Sequence, residues 1–253
     1  MKVYLINLDR DRERLAVADR QLKALGVGYE RVPAVYGKSL TAEEKKNAVS
    51  YFRWWCLAAI PPRDGEIGCA LSHLSAYRKI VQVGDVACVL EDDVILDNRF
   101  KDVLDRVEKW VDPSRPQVVL LSNHSVKSKC GDATSGYFSL QERQFEVVSS
   151  SGDWCTEGYV ITAAAAKSLL WQNTPLKIAA DAWTRWSRIG AIDLYHAFPT
   201  VCRQNKAEFD SYCILKDSQY DVAKMSVPRW IWHKIKRLIG NVIDMCFVMI
   251  TGR

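Results

Sequence analysis

The sequence predicts an α/β fold: a mostly parallel sheet flanked by helices, with an amphipathic helix appended at the C-terminus. Three observations carry this. Continuous apolar runs such as Val3 to Leu8 and Val86 to Leu90 stop abruptly at polar residues, the mark of strands covered on both faces. Segments with apolar residues at helical spacing alternate with them, and such alternation builds layered sheets. Beyond Arg229, cationic and apolar residues separate onto opposite sides of a helix.

Taken in order, Val3 to Leu8 is the first strand and ends in Asn7-Leu8-Asp9. Arg12 to Leu25 follows as a helix stopped by Gly26, a residue type that readily takes the left-handed conformation closing helices. Tyr29 to Val35 reads as a second strand. Glu66 to Val81 carries apolar residues at 67, 70, 71, 74, 77 and 81, a helical stripe. Val86 to Leu90 and Val118 to Leu121 are further buried strands. Between Lys127 and Val148 the pattern is polar and turn-rich, as in a hairpin excursion. Tyr159 to Thr162 is a short strand, and Thr162 is placed to cap the helix Ala163 to Trp171. Residues 1–225 form one domain and 226–253 a separate tail.

With 253 residues, 48% hydrophobic and 26% charged, the chain is neither disordered, collagenous nor a coiled coil. A chain this long buries roughly three quarters of its unfolded surface and folds without metal or disulfide. The net charge is +5, and +4 of it lies beyond Val227, so the body offers no broad nucleic-acid face. Eight cysteines never form a C-x-x-C pair and several sit inside apolar runs, which predicts buried thiols, a reducing compartment and no zinc. The N-terminal apolar run is too short for a signal peptide, which predicts the cytoplasm.

Val89-Leu90-Glu91-Asp92-Asp93-Val94 is the most informative segment. Three adjacent acids at the end of a buried strand repel one another, and a divalent cation relieves them, because hard carboxylate oxygens suit Mg2+ or Mn2+. Strand alternation places Glu91 and Asp93 on one side and Asp92 on the other. Ligands also bind beyond the carboxyl ends of strands in open α/β sheets. The ordinary alternative is an acidic turn opening a solvated loop.

Four other segments carry chemistry. In Asn7 to Arg14, amides and acids suit a base or ribose while Arg10 and Arg14 suit phosphate, or the stretch is a solvated first helical turn. Neither G-x-G-x-x-G nor a P-loop appears. Gly65 to His73 opens a helix with two glycines that let backbone approach a ligand, and Ser72 and His73 lie off its apolar stripe. Asp181 is an acid among apolar residues, fit for catalysis, metal binding or capping. Asp153 and Glu157 precede a strand and are candidate bases or turn residues.

The tail is a cationic amphipathic helix. Ile231, Ile235, Leu238, Ile239, Val242, Met245, Cys246 and Met249 share one face, while Trp232 and Lys236 border it. Such a helix lies in a membrane interface, and Lys234, Lys236 and Arg237 interrupt the apolar run too often for it to span. Docking on the core is the alternative.

With those residues in view, the chain resembles the family-25 glycosyltransferases, which include bacterial lipooligosaccharide galactosyltransferases and collagen galactosyltransferase domains. The matching segments are Val3 to Arg10 with Arg14, Tyr29 to Val35, Gly65 to His73, and Leu90 to Val94, in that order. Glu157 to Thr162, Asp181 and Ala197-Phe198-Pro199 extend the likeness to about residue 215. Tyr36 stands where the family often has an acid, and Ala179-Ala180 where it usually has Pro-Val.

The resemblance implies a GT-A-like, Rossmann-like nucleotide-binding sheet and inverting transfer of a hexose, galactose or glucose, from a UDP-sugar. The acceptor it implies is a saccharide hydroxyl of lipooligosaccharide or lipopolysaccharide, reached at the inner face of the cytoplasmic membrane. Asp93 is then the direct Mn2+ or Mg2+ ligand, with Glu91 and Asp92 assisting at metal or ribose. Asp181 is the base or a second metal ligand, with Glu157 in reserve. Asn7, Leu8 and Ala34 line the uridine, Arg10 and Arg14 meet the leaving diphosphate, and Glu66, Ser72 and His73 face the pyrophosphate or sugar. A non-catalytic sugar-nucleotide binding protein and a metal-dependent nucleotidyl or phosphoryl transferase are the rival readings.

Overall fold

The structure is a computed structural model that describes residues 1–58, 60–123, 144–150, 152–154, 156–205, 232, 234–236, 238–240 and 242. In chain order its elements are β1 (Lys2–Asn7), α1 (Arg12–Ala24), β2 (Glu30–Pro33), α2 (Ala42–Ala48), α3 (Tyr51–Leu57) and α4 (Asp64–Val83). Next come β3 (Ala87–Glu91), β4 (Val94–Leu96), α5 (Phe100–Trp110), β5 (Gln117–Leu120), β6 (Glu146–Ser149) and β7 (Gly158–Ile161). The remaining elements are α6 (Ala163–Gln172), α7 (Trp183–Arg188), β8 (Asp193–Phe198) and β9 (Cys202–Gln204).

Seven strands form one sheet in the order β2-β1-β3-β7-β5-β8-β6, and β4 pairs with β9 apart from it. β1 runs parallel to β2 and β3, and β5 parallel to β8, while β7 and β6 run against their neighbours. The sheet is therefore mostly parallel and the fold is α/β of GT-A-like form. Strand alternation splits the core in two. Tyr4, Ile6, Val89, Leu120 and Tyr159 meet α4, α6 and α7, while Val3, Leu5, Cys88, Leu90 and Val119 meet α1 and α5. Each large aliphatic side chain so buried contributes about 1.5–3 kcal/mol.

The expected helices are present with ends shifted by one or two residues: Arg12–Ala24 where Leu25 was the expected end, Asp64–Val83 where Glu66 to Val81 was expected, and Ala163–Gln172 where Trp171 was expected. Gly26 and Gly84 both have positive φ after α1 and α4, and Thr162 accepts from the Ala165 N–H. Helix α4 is buried beyond its apolar stripe, because Gly68, Ser72, His73 and Ala76 are buried as well. There Gly68 lies against the loop after β2, and a Cβ on it would stand 2.5 Å from the Val35 carbonyl oxygen and 2.7 Å from the Gly37 nitrogen. Close backbone approach thus serves this loop. Gly68→Ala is expected to cost about 1–3 kcal/mol by overpacking, read as a fall in the urea midpoint. An unchanged midpoint would show that the loop yields freely.

The hairpin expected over 127–148 lies mostly outside the described residues; β6, at its end, pairs with β8. The tail is described at eight positions only, all helical. Trp232 meets Trp55 of α3 edge-on at 6.1 Å, and the Lys236 ammonium lies 4.5 Å over the same ring. Lys236 and Gly240 are buried, whereas Ile235, Leu238, Ile239 and Val242 are exposed. The border of the helix docks on α3 and its apolar face points away. Tyr51, Phe52 and Trp55 of α3 are exposed as well.

Candidate active site

An open cleft of about 840 Å³ lies at the carboxyl ends of β1 and β3. Its walls include Asn7, Leu8, Arg14, Ala34, Ser72, Glu91, Asp92 and Asp93, brought together from four separate segments. Parallel strands deliver their ends to one edge of the sheet, which is why residues so distant in sequence converge.

Strand β3 ends at Glu91 and the chain turns at Asp92-Asp93 before β4. That turn corrects the alternation expected for the three acids. Asp92 and Asp93 both face the Arg14 guanidinium, at 3.5 and 3.8 Å, while Glu91 points apart towards His73, 3.2 Å away. Asp92 also accepts from the Asn7 amide at 2.7 Å. Burial still raises its carboxyl above the usual range, against the pull of Asn7 and Arg14.

Asp93 differs. Its Oδ2 accepts from Gln204 at 2.9 Å, but its Oδ1 is buried with no hydrogen-bond partner. Burial first, then the Glu91 charge, push its pKa up to about 7. A buried carboxylate oxygen without a donor costs free energy, and a hard cation is the group that satisfies it. The donors present therefore fit a divalent ion held by Asp93 with Asp92 beside it, Glu91 lining the same cleft but turned to His73.

Several expected ligand contacts turn out to be internal ties. Asn7 donates to Asp92 and to the Asp11 carbonyl, and its own oxygen accepts from Arg31 at 2.9 Å. Ser72 accepts from the Val35 N–H and donates to the Gly68 carbonyl, which fixes the loop carrying Ala34 to Lys38. Arg10 stacks on the Tyr36 ring at 3.9 Å, so the tyrosine that replaces an acid forms a braced aromatic wall. Glu66 caps α4, accepting from the Arg63 N–H at 2.9 Å and from its guanidinium. Arg31, Tyr36, Lys38 and Gln204 carry weight here that the sequence reading did not assign.

The candidate bases lie off the cleft wall. Glu157 is buried and acts electrostatically on the Cys202 thiol. Asp153 is buried against His196, 3.0 Å away. Asp181 is exposed just before α7, yet protein atoms crowd its carboxyl. That crowding, then Glu66 and Glu91, raise its pKa, while His73 opposes them.

Lack of paired cysteines argued against a soft-metal site, but helix geometry supplies one pairing the linear pattern hides. Cys69 and His73 stand one turn apart on α4, and with Glu91 they present three donor atoms within 4.8 Å of one another. Among the described residues Cys56, Cys69, Cys88 and Cys202 are thiols.

The sequence profile described as glycosyltransferase family 25 (LPS biosynthesis protein) matches residues 1–184. A "Glycosyltransferase 25 family member" of Aedes aegypti is 29% identical over 190 residues, covering 69% of this chain and 28% of that protein. "Procollagen galactosyltransferase 2" is 26% identical over 182 residues in Homo sapiens, covering 68% of this chain and 28% of that one. The Mus musculus protein of the same name is 30% identical over 131 residues, 45% of this chain and 19% of that one. This chain thus spans well under half the length of the curated relatives it matches.

Proposed function

The chain belongs to glycosyltransferase family 25, and from that premise we propose that it is a UDP-sugar-dependent hexosyltransferase, galactose being the favoured sugar. The observation that carries this is the buried Oδ1 of Asp93, without a hydrogen-bond partner in a cleft also lined by Leu8, Ala34 and Tyr36. Ala34, Leu8 and the Tyr36 ring suit a uracil and ribose, and Lys38 and Arg14 on the cleft wall suit a diphosphate, while Arg10 is not on that wall and braces the Tyr36 ring.

Asp93, with Glu91 and Asp92, would hold Mn2+ or Mg2+. Such an ion neutralises charge growing on a departing diphosphate. The chain's own part is to hold donor and acceptor in line, which removes much of the entropy cost of bringing them together. Inversion needs a carboxylate to take the acceptor hydroxyl's proton as that oxygen attacks the anomeric carbon. Asp181 suits this role better than Glu157, since it reaches solvent and its raised pKa makes it a better proton acceptor. Release of UDP from a panel of UDP-sugars, dependent on manganese and on a truncated lipooligosaccharide acceptor, tests the reading. Pyrophosphate and a nucleotide sugar as products would replace it with nucleotidyl transfer.

The acceptor class we favour is a lipooligosaccharide or lipopolysaccharide saccharide at the inner face of the cytoplasmic membrane. No helix among the described residues is long and apolar enough to cross a membrane. The outward apolar face of the tail, beside Tyr51, Phe52 and Trp55 and among cations, suits an anionic lipid surface instead. Removing residues 226–253 is expected to release the protein from phosphatidylglycerol vesicles while sparing transfer to a soluble acceptor. Vesicle binding that survives the deletion would discard the membrane role.

A further inference from the structure

His73 is buried, and its two ring nitrogens have different neighbours. Nδ1 lies 2.7 Å from the Tyr159 hydroxyl, which in turn donates to Tyr77 at 3.0 Å. A tyrosine oxygen that donates onward accepts from Nδ1–H, so Nε2 keeps a lone pair aimed at the Glu91 carboxylate 3.2 Å away. Thr156 donates to the same carboxylate and fixes its orientation. Two lone-pair-bearing atoms at this separation repel unless a proton or a cation stands between them.

The spacing accommodates a cation as well as a proton. Nitrogen and oxygen ligands about 2.0–2.1 Å from a tetrahedral zinc ion stand roughly 3.3–3.4 Å apart. The third donor, Cys69, sits one helical turn before His73 and adds a thiol, the ligand type that selects zinc over manganese or magnesium. Orientation of a ligating histidine through its other nitrogen, as Tyr159 provides, is the usual support of such sites. Cys69 and Glu91 both line the cleft, so a fourth position opens to it.

We propose that Cys69, His73 and Glu91 bind a thiophilic divalent cation, zinc foremost, at a position distinct from Asp93, and that its binding inhibits transfer by holding Glu91 at His73, away from the Asp93 cation. Only the inhibition rests on the transferase reading.

Titrating the chelator-treated full chain with Co2+ tests the site. A thiolate-to-cobalt band in the near ultraviolet is expected, displaced by Zn2+ but not by excess Mn2+. Cys69→Ser should abolish the band and weaken binding by more than the about 10- to 100-fold that loss of an outer supporting group costs. Asp93→Asn should keep it. In the wild-type chain, Zn2+ but not Mn2+ should shield Cys69 from alkylation, read by peptide mass spectrometry, which needs no variant. Zn2+ should suppress manganese-driven UDP release in the wild type and much less in Cys69→Ser. No band, a band that persists in Cys69→Ser, or an unshielded Cys69 would overturn the site. Absence of UDP release under any condition would sink the transferase reading and leave the spectral result standing.

Discussion

Asp93→Asn is expected to reduce sugar transfer by at least about 10³-fold, the factor that corresponds to losing several kcal/mol of charge stabilisation. The fold should survive, because the amide fills the same volume and the buried Oδ1 already lacks a partner. The variant also carries a pH signature. In the folded chain the Asp93 pKa is pushed up to about 7, from its ordinary 3.8. Between those values the folded state holds a proton that the unfolded state has released, so stability falls as pH rises through this window. In chelator, the wild type minus variant difference in urea midpoint should therefore decline from about pH 4 to about pH 7 and then level off. Manganese should raise the wild-type midpoint more at pH 8 than at pH 5, since it binds the ionised form. A flat difference profile would show that Asp93 is not held protonated, and undiminished UDP release would remove it from the cation site.

Arg14→Met is the second change with a large expected effect, on stability. The guanidinium is buried with Asp92 and Asp93 at 3.5 and 3.8 Å, and ties α1 to the end of β3. These separations are long for hydrogen bonds, so the pair's net worth is small. Removing one side of a buried pair is costly for another reason: it leaves uncompensated charge, typically at about 3–5 kcal/mol. Denaturant unfolding at pH 8 in chelator should show that loss, and adding Asp92→Asn to Arg14→Met should recover part of it. An Arg14→Met midpoint equal to wild type would mean that water already reaches the acids.

Both sites were legible in part. Apolar runs ending in Asn7 and Glu91 revealed β1 and β3, because a strand covered on both faces must be continuously hydrophobic. Acids placed flush against such a run marked the cleft floor. Hidden from the linear pattern were contacts made by closure of the fold. Gln204 reaches Asp93 across 111 positions, and Arg31 reaches Asn7 from a neighbouring strand. His73 reads as an off-stripe helical residue, yet α4 is buried on two sides and takes it inside. The sequence pattern also misplaced Asp93 relative to Glu91, since periodicity of two persists only while the strand does.

The β4–β9 ribbon bears on where this chain can be cut. The family-25 profile matches only as far as residue 184, before β8 and the ribbon's second strand. An excised fragment ending there would open the sheet beside β5 and strip Asp93 of its one side-chain amide donor. A minimal piece that keeps the cleft intact must reach at least Asn205, whose backbone N–H donates to the Asp93 carbonyl. The profile bound alone would set the scissors about twenty residues too early.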